Sequence, residues 1–250
     1  MKRNELIKRI LFYLTVPKCV ACSSYLSYDD EALCPECKSK HTDNKATICS
    51  VCGKYRPQCL CTNDYLSRHY VKRLIKLFVY RSAPDGSVVP SNELIYKLKR
   101  SYRRDLIDFV ADELARSVIS EIPDYDKFVI TSVPRSKKRV RKYGYDHAEK
   151  VARALAQRLG IKYVKVLKSK QRRAQKLSEG REARMANARF DYCGNKALPP
   201  NVFLFDDVVT SGASMGNCAT LLHGIGAKSV VGICMGIAFK DKYVPFATER

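Results

Sequence analysis

Apolar and polar positions change rhythm along this chain, and the changes divide it into elements. Near the start, Leu6, Ile7, Ile10, Leu11 and Leu14 share one face of a 3.6-residue turn, which predicts a short amphipathic helix. Lys2, Arg3, Lys8 and Arg9 ahead of the apolar run Ile10–Val16 also resemble a weak signal peptide, but a helix packed on the body explains the pattern better. Ala83–Ser91, with two prolines and a glycine, reads as a surface loop. Glu93–Ser120 reads as helix, with Leu94, Leu98, Leu106, Phe109, Val110 and Leu114 near helical period.

Short apolar runs and helical patterns then alternate. Phe128–Val133 reads as a strand. Ala148, Val151, Ala152, Leu155, Ala156 and Leu159 mark a helix stopped by Gly160, and Tyr163–Leu167 reads as a strand. Val202–Phe205 is a buried strand, Met215–Ile225 a helix and Val230–Ala238 a further strand. Such alternation predicts an α/β fold, a parallel sheet flanked by helices, with ligands beyond the carboxyl ends of the strands. No apolar run reaches the roughly 18–20 residues that span a bilayer, so no membrane span is expected. Without export, the expected compartment is the reducing cytoplasm.

The eleven cysteines are unevenly placed, eight of them before residue 62. In a reducing compartment they read as metal ligands rather than disulfides. The run is Cys19-x2-Cys22, Cys34-x2-Cys37, Cys49-x2-Cys52 and Cys59-x-Cys61. Two C-x2-C turns complete a closed tetrahedral thiolate site, so two structural Zn²⁺ sites are expected. Sequential pairing is simplest, and interleaved pairing stays open. The other three, Cys193, Cys218 and Cys234, read as small buried hydrophobes. The uneven distribution divides the chain into an N-terminal helix and double zinc ribbon, 1–66, and an α/β domain, 67–250.

Charge adds a partner class. The formal net charge is +21, and Arg135–Arg189 holds 19 basic against 4 acidic side chains. Such a surface attracts nucleic acid or a ligand bearing several phosphates.

The sharpest chemistry lies in Val202–Ser214, VFLFDDVVTSGAS. An apolar strand delivers Asp206 and Asp207. Thr210, Ser211, Gly212, Ala213 and Ser214 then open directly into a helix. Backbone N–H groups at a helix N-terminus, with hydroxyls, suit a phosphate dianion. Paired carboxylates suit two neighbouring hydroxyls or a metal, so a ribose 5-phosphate satisfies both. The segment resembles the phosphoribosyl pyrophosphate motif of type I phosphoribosyltransferases. With the cysteine pairs ahead of it, the chain resembles the ComF family of competence-associated proteins, which combine a double zinc ribbon with that fold. Ser132–Lys137 is similar to that family's pyrophosphate loop. Arg141–His147 is similar to its R-x-R-G-F-N-Q stretch, with Lys142, Tyr145, Asp146 and His147 as departures. Arg172, Gln175, Leu177, Arg181 or Arg184, Asn187 and Phe190 also match.

The resemblance implies roles. Asp206 and Asp207 would hold the ribose hydroxyls and are the candidate catalytic residues. Asp207 would also stabilise an oxocarbenium-like state. Thr210–Ser214 would hold the 5-phosphate. Pro134, Arg135, Ser136 and Lys137 would meet Mg²⁺-pyrophosphate, with the ion held mainly through ligand oxygens and water. Lys168–Asn187 would form a basic hood. His147, at a helix start, is expected on the surface. The favoured function is a phosphoribosyl pyrophosphate-binding protein of DNA uptake, contacting single-stranded DNA and the uptake machinery. The alternatives are an active phosphoribosyltransferase in nucleotide salvage and a non-catalytic nucleotide sensor.

Overall fold

The computed structural model describes residues 17–80, 89–170, 190–194, 198–238 and 243–244, together with Phe12, Leu14 and Thr15. Most of the expected N-terminal helix and of the 83–91 loop, and the expected hood beyond residue 170, lie outside the described residues; Leu14, from the helix face expected to pack on the body, is exposed. In chain order the elements are α1 (Pro35–Lys45), β1 (Thr62–Asn63), α2 (Asp64–Arg68), β2 (Val71–Val79), α3 (Pro90–Arg100), α4 (Arg104–Glu121) and β3 (Val129–Ser132). They continue with α5 (Lys137–Tyr143), α6 (His147–Leu159), β4 (Leu167–Ser169), β5 (Phe190–Tyr192), β6 (Asn201–Val209), α7 (Ala213–Gly224), β7 (Ser229–Ile237) and β8 (Tyr243–Val244).

The central sheet has the order β2-β7-β6-β3, and every pairing in it is parallel. Parallel strands covered on both faces read as continuous apolar runs. That is what Val202–Phe205 is: all four side chains are fully buried, alternately against two layers. Phe203 and Phe205 join a core with Leu114 of α4 and Val151 and Leu155 of α6. Val202 and Leu204 join a second core with Met215, Cys218 and Leu222 of α7. The expected parallel sheet flanked by helices is therefore present.

Several details differ from the sequence expectation. The single helix over 93–120 is two helices, because Ser101 and Arg103 adopt extended backbone. The buried Tyr145 hydroxyl sits between the carbonyls of Leu98 and Ser101, with one proton to donate, and fixes the break. The expected strand Tyr163–Leu167 makes only a parallel bridge from Tyr163 to Ile130. The chain then turns away, and Leu167–Ser169 pairs antiparallel with Phe190–Tyr192. The strand β2 was not anticipated, since Lys72, Arg73 and Lys76 interrupt its apolar pattern. Lys76 is nevertheless fully buried, because its ammonium donates to three carbonyls, those of Cys59, Cys61 and Leu74. Cys193 is exposed rather than buried, while Cys218 and Cys234 are buried as expected.

The cysteine module packs against the α/β body. Val20, Leu26 and Leu33 share a core with Ile95 and Leu98 of α3 and Leu106 of α4. A buried polar cluster completes the seam. His41 lies 3.1 Å from the Ser91 hydroxyl and 3.4 Å from Glu113, and Lys45 and Arg116 also pair with Glu113. Among the described residues, no helix is long and apolar enough to cross a membrane.

Candidate functional site

The eight N-terminal cysteines form two clusters by sequential pairing: Cys19, Cys22, Cys34 and Cys37, then Cys49, Cys52, Cys59 and Cys61. Within each cluster the sulfurs lie within 4.8 Å of one another, and Cys22 Sγ is 3.7 Å from Cys34 Sγ. A tetrahedral Zn²⁺ with bonds of about 2.3 Å places its sulfurs about 3.8 Å apart, so both sets fit a closed thiolate site. All eight are free thiols with no disulfide among them.

The knuckles are near repeats thirty residues apart. In each, the first cysteine donates its N–H across a turn, to Ser24 or to Lys54, and Lys18↔Tyr25 and Ile48↔Tyr55 close matching antiparallel bridges. Ser23 and Gly53 occupy the same left-handed position, at φ 69° each.

The second centre lies at the carboxyl ends of β3 and β6. The last pairing of β3 is Ser132 with Phe205, so β6 runs on with one edge uncovered. There the strand satisfies itself: Asp206 Oδ1 accepts the Asp207 N–H at 2.9 Å, and Asp207 Oδ1 accepts the Val208 N–H at 2.8 Å. Asp206 is half-buried and Asp207 buried.

Asp207 is the electrostatic centre of the crevice. Its Oδ2 lies 2.7 Å from His147 Nε2, 3.0 Å from Lys99 Nζ and 3.6 Å from the Arg135 guanidinium. Burial alone would raise the Asp207 carboxyl. The hydrogen bond from His147 and the charge of Lys99 outweigh it and hold the group well below the usual carboxylate range. Asp206 moves the other way, raised by burial and by the negative charge next door on Asp207. The two carboxyls are therefore driven apart, Asp207 toward its ionised form and Asp206 toward its neutral one, as adjacent carboxyls are when only one is compensated. Burial lowers the His147 imidazole below its ordinary value, which makes the neutral ring the donor to Asp207.

The Thr210–Ser214 loop follows at once. Gly212 caps α7 from the left-handed region at φ 83°, and a Cβ there would lie 2.7 Å from Leu66 Cγ, so glycine is required on both counts. No side chain caps α7, although the Ser211 hydroxyl accepts the Ala213 N–H at 3.3 Å. Thr210 and Ser211 are exposed, and Ala213 and Ser214 half-buried. The first-turn N–H groups of a helix are unpaired within it and carry its positive end, so the loop is chemically suited to an anion.

The third piece is the loop from β3 to α5. The Arg135 N–H donates to Asp146 Oδ2 at 3.1 Å, while Asp146 Oδ1 caps α6 through the Glu149 N–H at 3.2 Å. Pro134 is half-buried, Ser136 precedes α5 without a side-chain capping bond, and Lys137 opens the helix on the solvent side. Among the described residues, Lys137, Lys138, Arg139 and Arg141 are exposed with no carboxylate partner. The fold thus gathers Asp206, Asp207, Thr210–Ser214 and Pro134–Lys137 at one end of the sheet.

Sequence reading missed four contributors. His147 is buried, 1% exposed, rather than a surface residue. It starts α6 directly under β6, and its orientation is fixed by Asp207. Lys99 and Asp146 were also missed, as was Asn63, whose Nδ2 donates to the Ser211 carbonyl at 3.1 Å. The departures Tyr145, Asp146 and His147 in the resembling stretch were the available signal, since each now has a distinct partner at the site.

Fold and centres together define the class: an α/β protein with a four-stranded parallel sheet flanked by helices, behind an N-terminal module with two four-cysteine centres. Comparison narrows it. The chain is similar to Competence protein ComFC of Bacillus subtilis, 25% identical over 218 residues, covering 82% of this chain and 88% of the relative. It is similar to Competence protein ComFC of Streptococcus pneumoniae, 23% identical over 206 residues, covering 82% and 87%. The similarity to the two ComFC proteins runs over most of the chain's length. Among solved structures, it is similar to a hypoxanthine phosphoribosyltransferase from Staphylococcus aureus, with a TM-score of 0.33, 11% identity, and 51% of this chain and 61% of that one covered. A purine phosphoribosyltransferase from Pyrococcus horikoshii gives 0.32, 12%, 60% and 98%. No protein-family model matches the chain.

Proposed function

We propose that the crevice at the ends of β3 and β6 binds phosphoribosyl pyrophosphate or a related ribose phosphate. The observation that carries this reading is the juxtaposition, on one strand and the turn after it, of an acid pair and an uncapped helix N-terminus. The 5-phosphate takes the N–H groups and hydroxyls of Thr210–Ser214. Asp206, half-buried and raised toward its neutral form, meets a ribose hydroxyl as donor or acceptor. Asp207 completes the hydroxyl contact when Lys99 or Arg135 turns from it toward the pyrophosphate oxygens. The Pro134–Lys137 loop receives that pyrophosphate. If transfer occurs, Asp207 is the group beside the anomeric carbon, and His147 holds its carboxylate in place.

Magnesium is handled by the same geometry. Asp207 Oδ2 already faces His147, Lys99 and Arg135, which leaves little room for a direct metal bond. A Mg²⁺ would enter on the oxygens of the pyrophosphate and on water, where it neutralises the leaving group.

The wider role follows the ComFC relatives, which are named as competence proteins. We assign this chain to DNA uptake, with α5 and its exposed cations as the contact for single-stranded DNA. Charge reversal at Lys138 and Arg139 tests that assignment. Single-strand affinity, followed by fluorescence anisotropy, should fall about tenfold or more, with a shallower salt dependence. Unchanged binding rejects α5 as the contact.

A further inference from the structure

We propose that Asn63 is a positioning residue that couples the second cysteine centre to the Thr210–Ser214 loop; this rests on reading that loop as the phosphate cradle. The coupling is a short, continuous path. Cys61 is the last sulfur of the centre, and Asn63 lies two residues on. The intervening backbone is not free to drift. The fully buried Lys76 ammonium donates to the Cys59 carbonyl at 2.8 Å and the Cys61 carbonyl at 2.5 Å, and the Leu74 N–H donates to the Leu60 carbonyl at 3.0 Å. The C-x-C turn is thus riveted to β2, and Thr62 and Asn63 are paired with β8.

Asn63 then spends both ends of its amide. Oδ1 accepts the Leu66 N–H at 2.8 Å and caps α2, and Nδ2 donates to the Ser211 carbonyl at 3.1 Å. Only one orientation of the amide satisfies both partners. The consequence for the loop is geometric. Across a planar trans peptide, the carbonyl of one residue and the N–H of the next point in opposite directions. Holding the Ser211 carbonyl toward Asn63 therefore turns the Gly212 N–H to the other side of the loop. Leu66, fully buried on the helix that Asn63 caps, fills the space a Gly212 side chain would need. One residue thus sets the peptide plane and, through α2, the floor beneath it.

The two cysteine clusters fit a bound metal equally well, but only the second has this path. Metal loss at Cys49, Cys52, Cys59 and Cys61 releases the turn that carries Asn63. Loss at Cys19, Cys22, Cys34 and Cys37 loosens the seam with α3 and α4 instead. The chain would then bind ribose phosphates tightly only with the second centre filled.

The test uses the full chain and ribose 5-phosphate. Asn63→Ser retains an N-cap oxygen but cannot bridge to Ser211, and Asn63→Asp is the second cap-retaining variant. Zinc content should stay at the wild-type value in both. Amide exchange over residues 210–213 should accelerate at least about threefold, and calorimetric affinity for ribose 5-phosphate should fall about tenfold, the net worth of one hydrogen bond. Cys52→Ala should reproduce both effects, and Cys22→Ala should leave exchange over residues 210–213 unchanged. Unchanged exchange in the two Asn63 variants, or equal acceleration of that exchange by Cys22→Ala and Cys52→Ala, overturns the coupling. If wild-type chain fails to bind ribose 5-phosphate while exchange still responds to Asn63, the ligand reading falls and the brace stands.

Discussion

Asp206→Asn and Asp207→Asn are the same isosteric change at adjacent residues, and they should move stability in opposite directions. Asp207 is ionised, buried and compensated by Lys99 and Arg135. Asparagine keeps an acceptor for one neighbour and strands two cations. Breaking a buried pair costs about 3–5 kcal/mol, and Lys99 is one-third exposed and can regain water, so the low end applies, about 3 kcal/mol. For a domain of this size, 1 kcal/mol is worth roughly 2–4 °C, which gives a fall of about 6–12 °C. Asp206 has its carboxyl raised by burial and by Asp207, so its charged form opposes folding at neutral pH. Asparagine removes that opposition, and functional-site relief of this kind contributes about 0.5–2 kcal/mol. The pH dependence has a definite sign. A group raised in the folded state stabilises below its unfolded pKa and loses that contribution as pH rises. The advantage of Asp206→Asn over wild type should therefore grow with pH from the acid range toward neutrality. Scanning calorimetry of ligand-free protein from pH 4 to pH 8 reads all of this. Shifts of the same sign and similar size at pH 7 would refute the charge assignment in the crevice.

Four further outcomes follow from the fold. Glu113 is buried at the seam; burial would raise it, but His41 and Lys45 hold its carboxyl below the usual range. Its contribution is present above the unfolded carboxylate pKa and fades as pH falls, so Glu113→Gln should cost about 1–3 kcal/mol in urea unfolding at pH 7 and progressively less below pH 4. Gly212→Ala should destabilise by at least about 1–2 kcal/mol from its left-handed backbone alone, with further loss from the 2.7 Å approach to Leu66. Gly224→Ala, with open space at its Cβ, should be neutral or slightly stabilising in the same thermal melts. Metal analysis should return about two Zn²⁺ per chain, and a chelator should unfold the cysteine module cooperatively; a folded, metal-free module would contradict both centres.

What could be read from the sequence was local. The acid pair and Thr-Ser-Gly turn sit within thirteen residues, and the C-x2-C pairs announce their own geometry by spacing. The strands β6 and β7 were visible because burial on both faces gives them long apolar runs, and β3 was visible from the apolar Phe128–Ile130 that leads into it. What could not be read depends on distant partners. His147 pairs with an aspartate 60 residues away, and Asn63 with a carbonyl 148 residues away. Lys76 hid β2, because a lysine in an apolar run signals solvent unless three carbonyls are known to converge on it. The break at Ser101 likewise depends on Tyr145, far along the chain.

The most direct test of the central claim is a calorimetric titration with phosphoribosyl pyrophosphate and Mg²⁺. Wild-type protein should bind with one site per chain, and the Asp206→Asn/Asp207→Asn double variant, verified as folded, should show no measurable heat. Equal affinity in the two proteins would contradict the assignment of this crevice.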